Sequence, residues 1–505
     1  MSPAVAFRAR LPHRAAAVAA LLAAALLLLM VVRLPWSGDL GMHGAVLERL
    51  RADPFHPGNP LVDADTPSPY YSPWTLLLAL TGAVAGWGTF GVLRLAGLAG
   101  LLLLVTGIAA YVRTLTPRRT AVPLALLCVL LLYGVRLFAW SGVPGLTSLS
   151  LTLAYPSTFA LGLGFHLWAL LRVALARDWG TARFLGLGVL LATVMLSHPF
   201  TGAVVVLGAV ALVPQARPGR AVRRRLAAGG GLALALPLCW PYYFFPALLG
   251  GGGLDAIHAP LYGGLAGRFC LTALGVVALG ARLRRDGRDP LGLLFLLGAA
   301  VFAAGGLSGH YAWGRVLPAM LLPAQLALAV ETAEALPPPL RDRGGRLRRA
   351  LPAVTAAALL AGAWAQAGVL SYVLRRDAVP PVLRDARVIG LWPGFGWAAR
   401  RVPKGATVMT DDYHALRALP AYGPYTVAPA YPDLFLPDEE RRRDATRRYF
   451  SPATSRAERL GILKEYSVRW VLQKSGGGGL PPGDPALRRA AEGPGGLALL
   501  EVVRP

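Results

Sequence analysis

Apolar runs of about 20 residues, separated by short arginine-bearing loops, constrain this chain more than any other feature of its 505 residues. A run of that length crosses the hydrocarbon core of a bilayer as a helix, because every backbone N–H and C=O must be satisfied within the segment. With 55% hydrophobic and only 15% charged residues, the chain carries more apolar side chains than a soluble core of its size needs. The runs fall near 15–34, 91–112, 121–140, 156–176, 182–197, 199–214, 228–249, 267–281, 291–306, 314–333 and 350–374, which predicts about eleven spans. The first is too long and leucine-rich for a signal peptide and lacks an A-x-A cleavage site.

Charge sets the expected orientation. A net charge of +25 would suggest a nucleic-acid partner in a soluble protein, but here the arginines gather in short loops between the runs. Arg223, Arg224 and Arg225, then Arg282, Arg284, Arg285 and Arg288, then Arg341, Arg343, Arg346, Arg348 and Arg349 mark three cytoplasmic loops, the positive-inside pattern. The N-terminus is then cytoplasmic, the C-terminus extracytoplasmic, and the loops near 141–155, 197–199, 250–266 and 307–313 are outside. Counting the 74–87 run as a crossing would invert this pattern, so it reads as re-entrant or lying on the membrane surface. Cys128, Cys239 and Cys270 each lie in or at the end of an apolar run, indicating neither a disulfide framework nor a zinc site.

The expected organisation is an α-helical polytopic membrane domain over 1–374, with a first extracytoplasmic loop at 35–73, followed by an extracytoplasmic α/β domain over 375–505. In the latter, the strand-like pieces ATVMTDD, YTVAPA, VRWVLQ and ALLEVV alternate with helices near Asp438–Tyr449 and Ser455–Tyr466.

Polar chemistry concentrates just after the first run. Asp39, at a membrane exit, is placed to act as a general base on a hydroxyl; the alternative is an N-cap for the helix that follows. His43 falls four residues on, on the same helical face, and could orient the acid or contact a phosphate. Asp63, Asp65 and Asp255 are further acids without a metal-binding spacing, so no metal is assigned, although Asp39 with His43 has ligand-type chemistry that leaves a divalent cation open. His198 lies in the Ser197-His198-Pro199 turn, lining a cavity or satisfying its own backbone. In Gly309-His310-Tyr311-Ala312-Trp313-Gly314-Arg315, Arg315 has the geometry to grip phosphate oxygens, with snorkelling to head groups as the alternative. Trp313, Tyr311 and Trp140 are interfacial aromatics or a stacking surface for a sugar. Asp411-Asp412-Tyr413-His414 follows a strand, where acids are as often caps as catalysts. No Walker loop, G-x-G-x-x-G, HExxH or G-x-S-x-G is present.

An Asp-bearing outer loop directly after the first span, a Tyr-x-Pro element at Tyr71-Ser72-Pro73 preceded by Tyr70, the Ser197-His198-Pro199 turn, many spans and an outer C-terminal domain together resemble the type C (GT-C) glycosyltransferase superfamily of bacteria. The resemblance implies transfer of a sugar from a polyprenyl-phosphate donor to a cell-envelope glycan, lipid or protein on the outer face, with actinobacterial arabinofuranosyl- or mannosyltransferases as the narrower likeness. It implies Asp39 as general base; beside it, the residue chemistry places His43, His310 and Arg315 at the donor or its phosphate, and Tyr70, Tyr71, His198 and Trp313 at the acceptor or lining the cavity. A transporter or flippase for a lipid-linked glycan, or an inactive scaffold of the same fold, is the rival reading; neither inverted repeats nor paired broken helices are evident in the sequence.

Overall fold

The computed structural model describes residues 3–250, 252–336, 346–384, 386 and 388–503, so Arg341 and Arg343 lie outside the described residues. The chain divides into two compact units: Met1–Pro35, Ala96–Cys239 and Leu254–Ile389 in one, and Trp36–Leu95, Trp240–Gly253 and Gly390–Pro505 in the other. The segment that follows the first span thus clusters with the C-terminal domain rather than with the spans that precede and follow it in the chain.

Among the described residues, seven helices are long and apolar enough to cross a membrane: His13–Arg33, Thr89–Leu115, Pro156–Ala176, Pro199–Ala216, Leu265–Arg285, Pro290–Ser308 and Tyr311–Ala335. Three more expected runs form shorter apolar helices at Ala121–Leu131, Thr181–Ser197 and Ala350–Ala365. The run at 228–249 is not one helix. The helix Arg220–Leu238 stops there, with Pro237 inside its last turn, and the residues from Trp240 onward belong to the other unit. The 74–87 run forms a helix, Pro73–Ala85, of 13 residues, which at 1.5 Å per residue is too short to cross a core about 30 Å thick.

Helices of the first unit approach closely where small residues face each other, as expected where packing rather than water drives association. A Cβ on Gly188 would lie 2.2 Å from Gly229 O, and one on Gly275 would lie 2.2 Å from Ala324 O. Part of the charge in the expected cytoplasmic loops is structural. Arg282 Nη2 meets Asp289 Oδ2 at 2.7 Å and its Nη1 meets Glu331 Oε1 at 3.2 Å, while Arg285 also pairs with Glu331.

The helix Ala121–Leu131 ends well short of the expected 140, and its released backbone is met by buried side chains. Gln325 Nε2 donates to Leu132 O at 3.1 Å, Thr272 Oγ1 donates to the same oxygen at 2.7 Å, and Gln366 Nε2 donates to Leu130 O at 3.0 Å. Gln325 is fully buried. Beyond the break, Leu271 N–H donates to Tyr133 O at 2.8 Å and Arg136 N–H to Gly267 O at 2.9 Å, so residues 132–145 run as an ordered non-helical segment. Such backbone is tolerated in a membrane bundle only where protein supplies its partners.

The second unit is built on a five-stranded sheet, ordered β2-β1-β3-β5-β4. Its strands are β1 (Thr407–Met409), β2 (Tyr425–Thr426), β3 (Val468–Lys474), β4 (Leu487–Gly493) and β5 (Leu497–Val502). β1 runs parallel to β2 and β3, while β5 is antiparallel to β3 and β4. The helices Glu439–Phe450 and Arg456–Glu465 lie near their expected positions, the second capped by Ser455. β4, LRRAAEG, lacks β-branched and aromatic residues and pairs at the sheet edge, so its strand character comes from β5 rather than from local propensity.

The segment after the first span is tied to this domain backbone to backbone. In the helix Leu40–Ala52, a Cβ on Gly41 would lie 1.7 Å from Arg417 O, and one on Gly44 would lie 2.7 Å from Ala421 Cβ. Arg49, buried, donates to Gly423 O and Pro424 O at 2.7 Å each and stacks 3.5 Å from the Tyr425 ring centroid. Glu48, also buried, takes Lys404 Nζ at 2.6 Å and bonds Thr89 Oγ1.

Gly41→Ala is therefore expected to cost about 1 to 3 kcal/mol, the usual penalty for overpacking a closed contact, read as a lower unfolding midpoint and faster proteolysis of the C-terminal domain. Gly230→Ala, where a Cβ meets nothing within 4 Å, should leave both unchanged or slightly improved.

Candidate functional site

The expected site residues fall into two groups, one in each unit. In the second unit, Asp39 stands at the N-cap position of the helix Leu40–Ala52, with φ −83° and ψ 10°. Its backbone oxygen accepts from His43 N–H at 3.2 Å, but its carboxylate makes no capping bond. Helix capping therefore does not account for this acid. His43 is buried, and burial pushes its imidazole down to about 3. It is neutral at ordinary pH and cannot attract phosphate by charge. Its ring lies edge-on to Tyr70, with centroids 6.0 Å apart.

Tyr71, expected to line a cavity, is buried instead, and its hydroxyl donates to Gly58 O at 2.7 Å. It holds the loop together, as does Asn59, which sequence reasoning did not single out. Fully buried, Asn59 donates to Asp433 Oδ2 at 2.7 Å and Thr66 Oγ1 at 3.1 Å, while its Oδ1 accepts from Leu61 and Val62 N–H. The only sequence signal there is Gly-Asn-Pro, an ordinary turn pattern. Asp63 and Asp65 are exposed. Asp412 caps the short helix Tyr413–Ala418, accepting from His414 and Ala415 N–H at 3.0 and 2.8 Å, which favours the capping reading of that motif.

In the first unit, His198 joins two helices. It follows Thr181–Ser197 and caps Pro199–Ala216, its Nδ1 accepting the Thr201 backbone N–H at 3.1 Å. The same Nδ1 lies 2.8 Å from Thr201 Oγ1, and Nε2 on the opposite edge of the ring meets Arg315 Nη2 at 3.3 Å. The guanidinium so held offers several N–H donors in a planar fork, the geometry that grips an anionic oxygen.

Aromatic faces surround the guanidinium: Phe200 lies 4.6 Å and Trp140 lies 5.8 Å from its central carbon. His258 packs against both rings, at 5.5 and 5.9 Å, and burial followed by the Arg315 charge holds it below its ordinary pKa. The turn carrying Arg315 is fixed by Asp255, whose Oδ1 accepts from Ala312 N–H at 2.8 Å. The imidazole brought to Arg315 is thus that of His198; His310 bonds Ser308 Oγ at 3.0 Å and lies beside the exposed Trp313. Among the described residues, no three His, Cys, Asp or Glu side chains gather as a metal site.

The neutral His43 should leave a mark on stability. Between about 3 and its unfolded value near 6.5, the unfolded chain binds the proton and the folded chain does not, so stability is lost as pH drops through that window, by about 1.4 kcal/mol per unit. Unfolding midpoints measured from pH 7 to pH 4 should decline less steeply in His43→Gln than in the wild type.

No protein-family model matches the sequence, and no curated protein matches it. Solved structures do match. ArnT from Cupriavidus metallidurans in the apo state aligns with a TM-score of 0.55 and 16% identity, over 96% of this chain and 98% of that one. The same enzyme bound to undecaprenyl phosphate aligns with a TM-score of 0.54 and 15% identity, over 96% and 97%. The arabinofuranosyltransferase AftD from Mycobacteria aligns with a TM-score of 0.55 and 17% identity over 96% of this chain, which spans 40% of AftD. Seven candidate spans among the described residues, a small C-terminal sheet, and alignment end to end with ArnT and over part of AftD establish that the chain has the fold of the type C (GT-C) membrane glycosyltransferases.

Proposed function

We propose that this protein is a membrane glycosyltransferase that moves a sugar from a polyprenyl-phosphate donor to a cell-envelope acceptor at the extracytoplasmic face. The observation that carries this reading is the Arg315 guanidinium, held by His198 and set among the Phe200 and Trp140 rings, which suits the phosphate of a lipid carrier. When the sugar leaves, negative charge grows on that phosphate, and fixed donors aimed at it lower the barrier without having to reorganise. Support also comes from ArnT, which has been captured with undecaprenyl phosphate.

Asp39 is assigned as the general base. It takes the acceptor's hydroxyl proton as the acceptor oxygen bonds to the sugar carbon and the carbon–phosphate oxygen bond breaks. His43, neutral beside it in the chain, has a positioning role, and Trp313, Tyr70 and His310 are left to contacts with substrate away from the reacting atoms. The pentose of AftD is one option for the sugar.

Transfer is tested with membranes containing the full chain and a panel of radiolabelled polyprenyl-phosphate sugars, with and without a chelator. Asp39→Asn at matched protein level should lose at least about a hundredfold in rate. Arg315→Gln should raise the donor KM by about thirtyfold, the loss of one charged hydrogen-bonding group. Undiminished transfer in Asp39→Asn moves the base elsewhere, and no transfer from any donor favours a transporter or scaffold.

A further inference from the structure

The non-helical segment 132–145 and the segment 263–269 meet backbone to backbone in the first unit, and each delivers an arginine to the same place. A Cβ on Gly134 would lie 2.3 Å from Gly267 O, so only glycine fits there, and a Cβ on Gly267 would lie 2.7 Å from Arg136 Cδ and displace that side chain. Arg136 N–H donates to Gly267 O at 2.9 Å, fixing the register. Gly264, at φ +63°, turns the chain so that Arg136 Nη1 and Arg268 Nε lie 3.7 and 3.8 Å from the point a Cβ there would occupy.

Arg268 is further held by a 2.6 Å bond from Nη1 to Pro260 O and by the Phe138 ring, 5.4 Å from its central carbon. Among the described residues, neither guanidinium has an acidic partner, whereas Arg282 and Arg285 do. Two like charges held around one point raise the energy of the fold unless an anion sits with them. Hydrocarbon is exposed beside the charges: Val135 is 65% and Leu265 37% exposed, and Arg268 lies at the head of the candidate span Leu265–Arg285.

We propose that Arg136 and Arg268 form a second anion site, distinct from Arg315 and His198, that takes the phosphate of a membrane lipid with its acyl or prenyl chain lying over Val135 and Leu265. Paired guanidinia match phosphate oxygens by parallel hydrogen bonds, and the neighbouring apolar side chains select a phosphate that carries a chain over a free ion. The site is independent of the sugar-transfer reading, since it requires only that the chain lies in a membrane.

The test uses the full-length protein in detergent, washed free of lipid and titrated with dioleoylphosphatidylglycerol, with bound lipid counted by native mass spectrometry. The wild type should hold one lipid with an affinity about thirtyfold above that of R136Q/R268Q, the effect expected of two cations on an anionic head group. Arg113→Gln, which removes an exposed arginine at the end of another span, should bind like the wild type. R136K/R268K, which keeps charge but loses the planar fork, should fall between wild type and the glutamine variant. Displacement of the phosphatidylglycerol by farnesyl phosphate would identify the carrier lipid as the occupant, and failure to displace it would assign the site to bulk phospholipid. Equal affinity in wild type and R136Q/R268Q, an equal loss in Arg113→Gln, or lysines binding no better than glutamines would overturn the proposal.

Discussion

In a membrane bundle the backbone cannot turn to water, and the helix that stops at Leu131 obeys that constraint through two glutamines and a threonine. Gln325, Gln366 and Thr272 reach the carbonyls of Leu130 and Leu132, each from a different element. Were those oxygens left unmet, each would cost on the order of several kcal/mol in hydrocarbon. With them satisfied, residues 132–145 are free to run as loop, and that loop carries Arg136, Phe138 and Trp140. Trp140 forms one wall beside Arg315, while Phe138 lies under Arg268 and Arg136 flanks Gly264 with it. Both proposed anion sites therefore depend on the same interrupted helix.

The second unit rests on contact between glycines and backbone. Gly41 and Gly44 let the helix after Asp39 press against residues 413–422, and Arg49 then fixes the contact with two carbonyls and a tyrosine face. A buried guanidinium is costly by itself, but here the two neutral acceptors and the ring face replace water. The consequence for function is positional: Asp39 sits at the start of a helix clamped to a folded domain, rather than in a free loop.

The two histidines that attracted the sequence reading differ in physical state. His43 is neutral because it is buried. His198 is held from one edge, where its Nδ1 meets the Thr201 N–H and Oγ1. Its other edge meets Arg315, so a helix-capping role and a role in holding the guanidinium belong to opposite edges of one ring.

Sequence alone determined the membrane class, because a run of about 20 apolar residues has no soluble alternative at this density. It also located four of the five strands and both longer helices of the C-terminal domain, whose hydrophobic periods and caps are local. It singled out Asp39 and Arg315, since an acid and a guanidinium at membrane exits stand out in a chain this apolar. It could not decide where the 121–140 run breaks, because the groups that satisfy the broken backbone lie more than a hundred residues away. Nor could it find that His198 rather than His310 meets Arg315, that Asn59 organises the first loop, or that LRRAAEG is a strand. Each of these is settled by a partner distant in sequence, and only the tertiary structure supplies it.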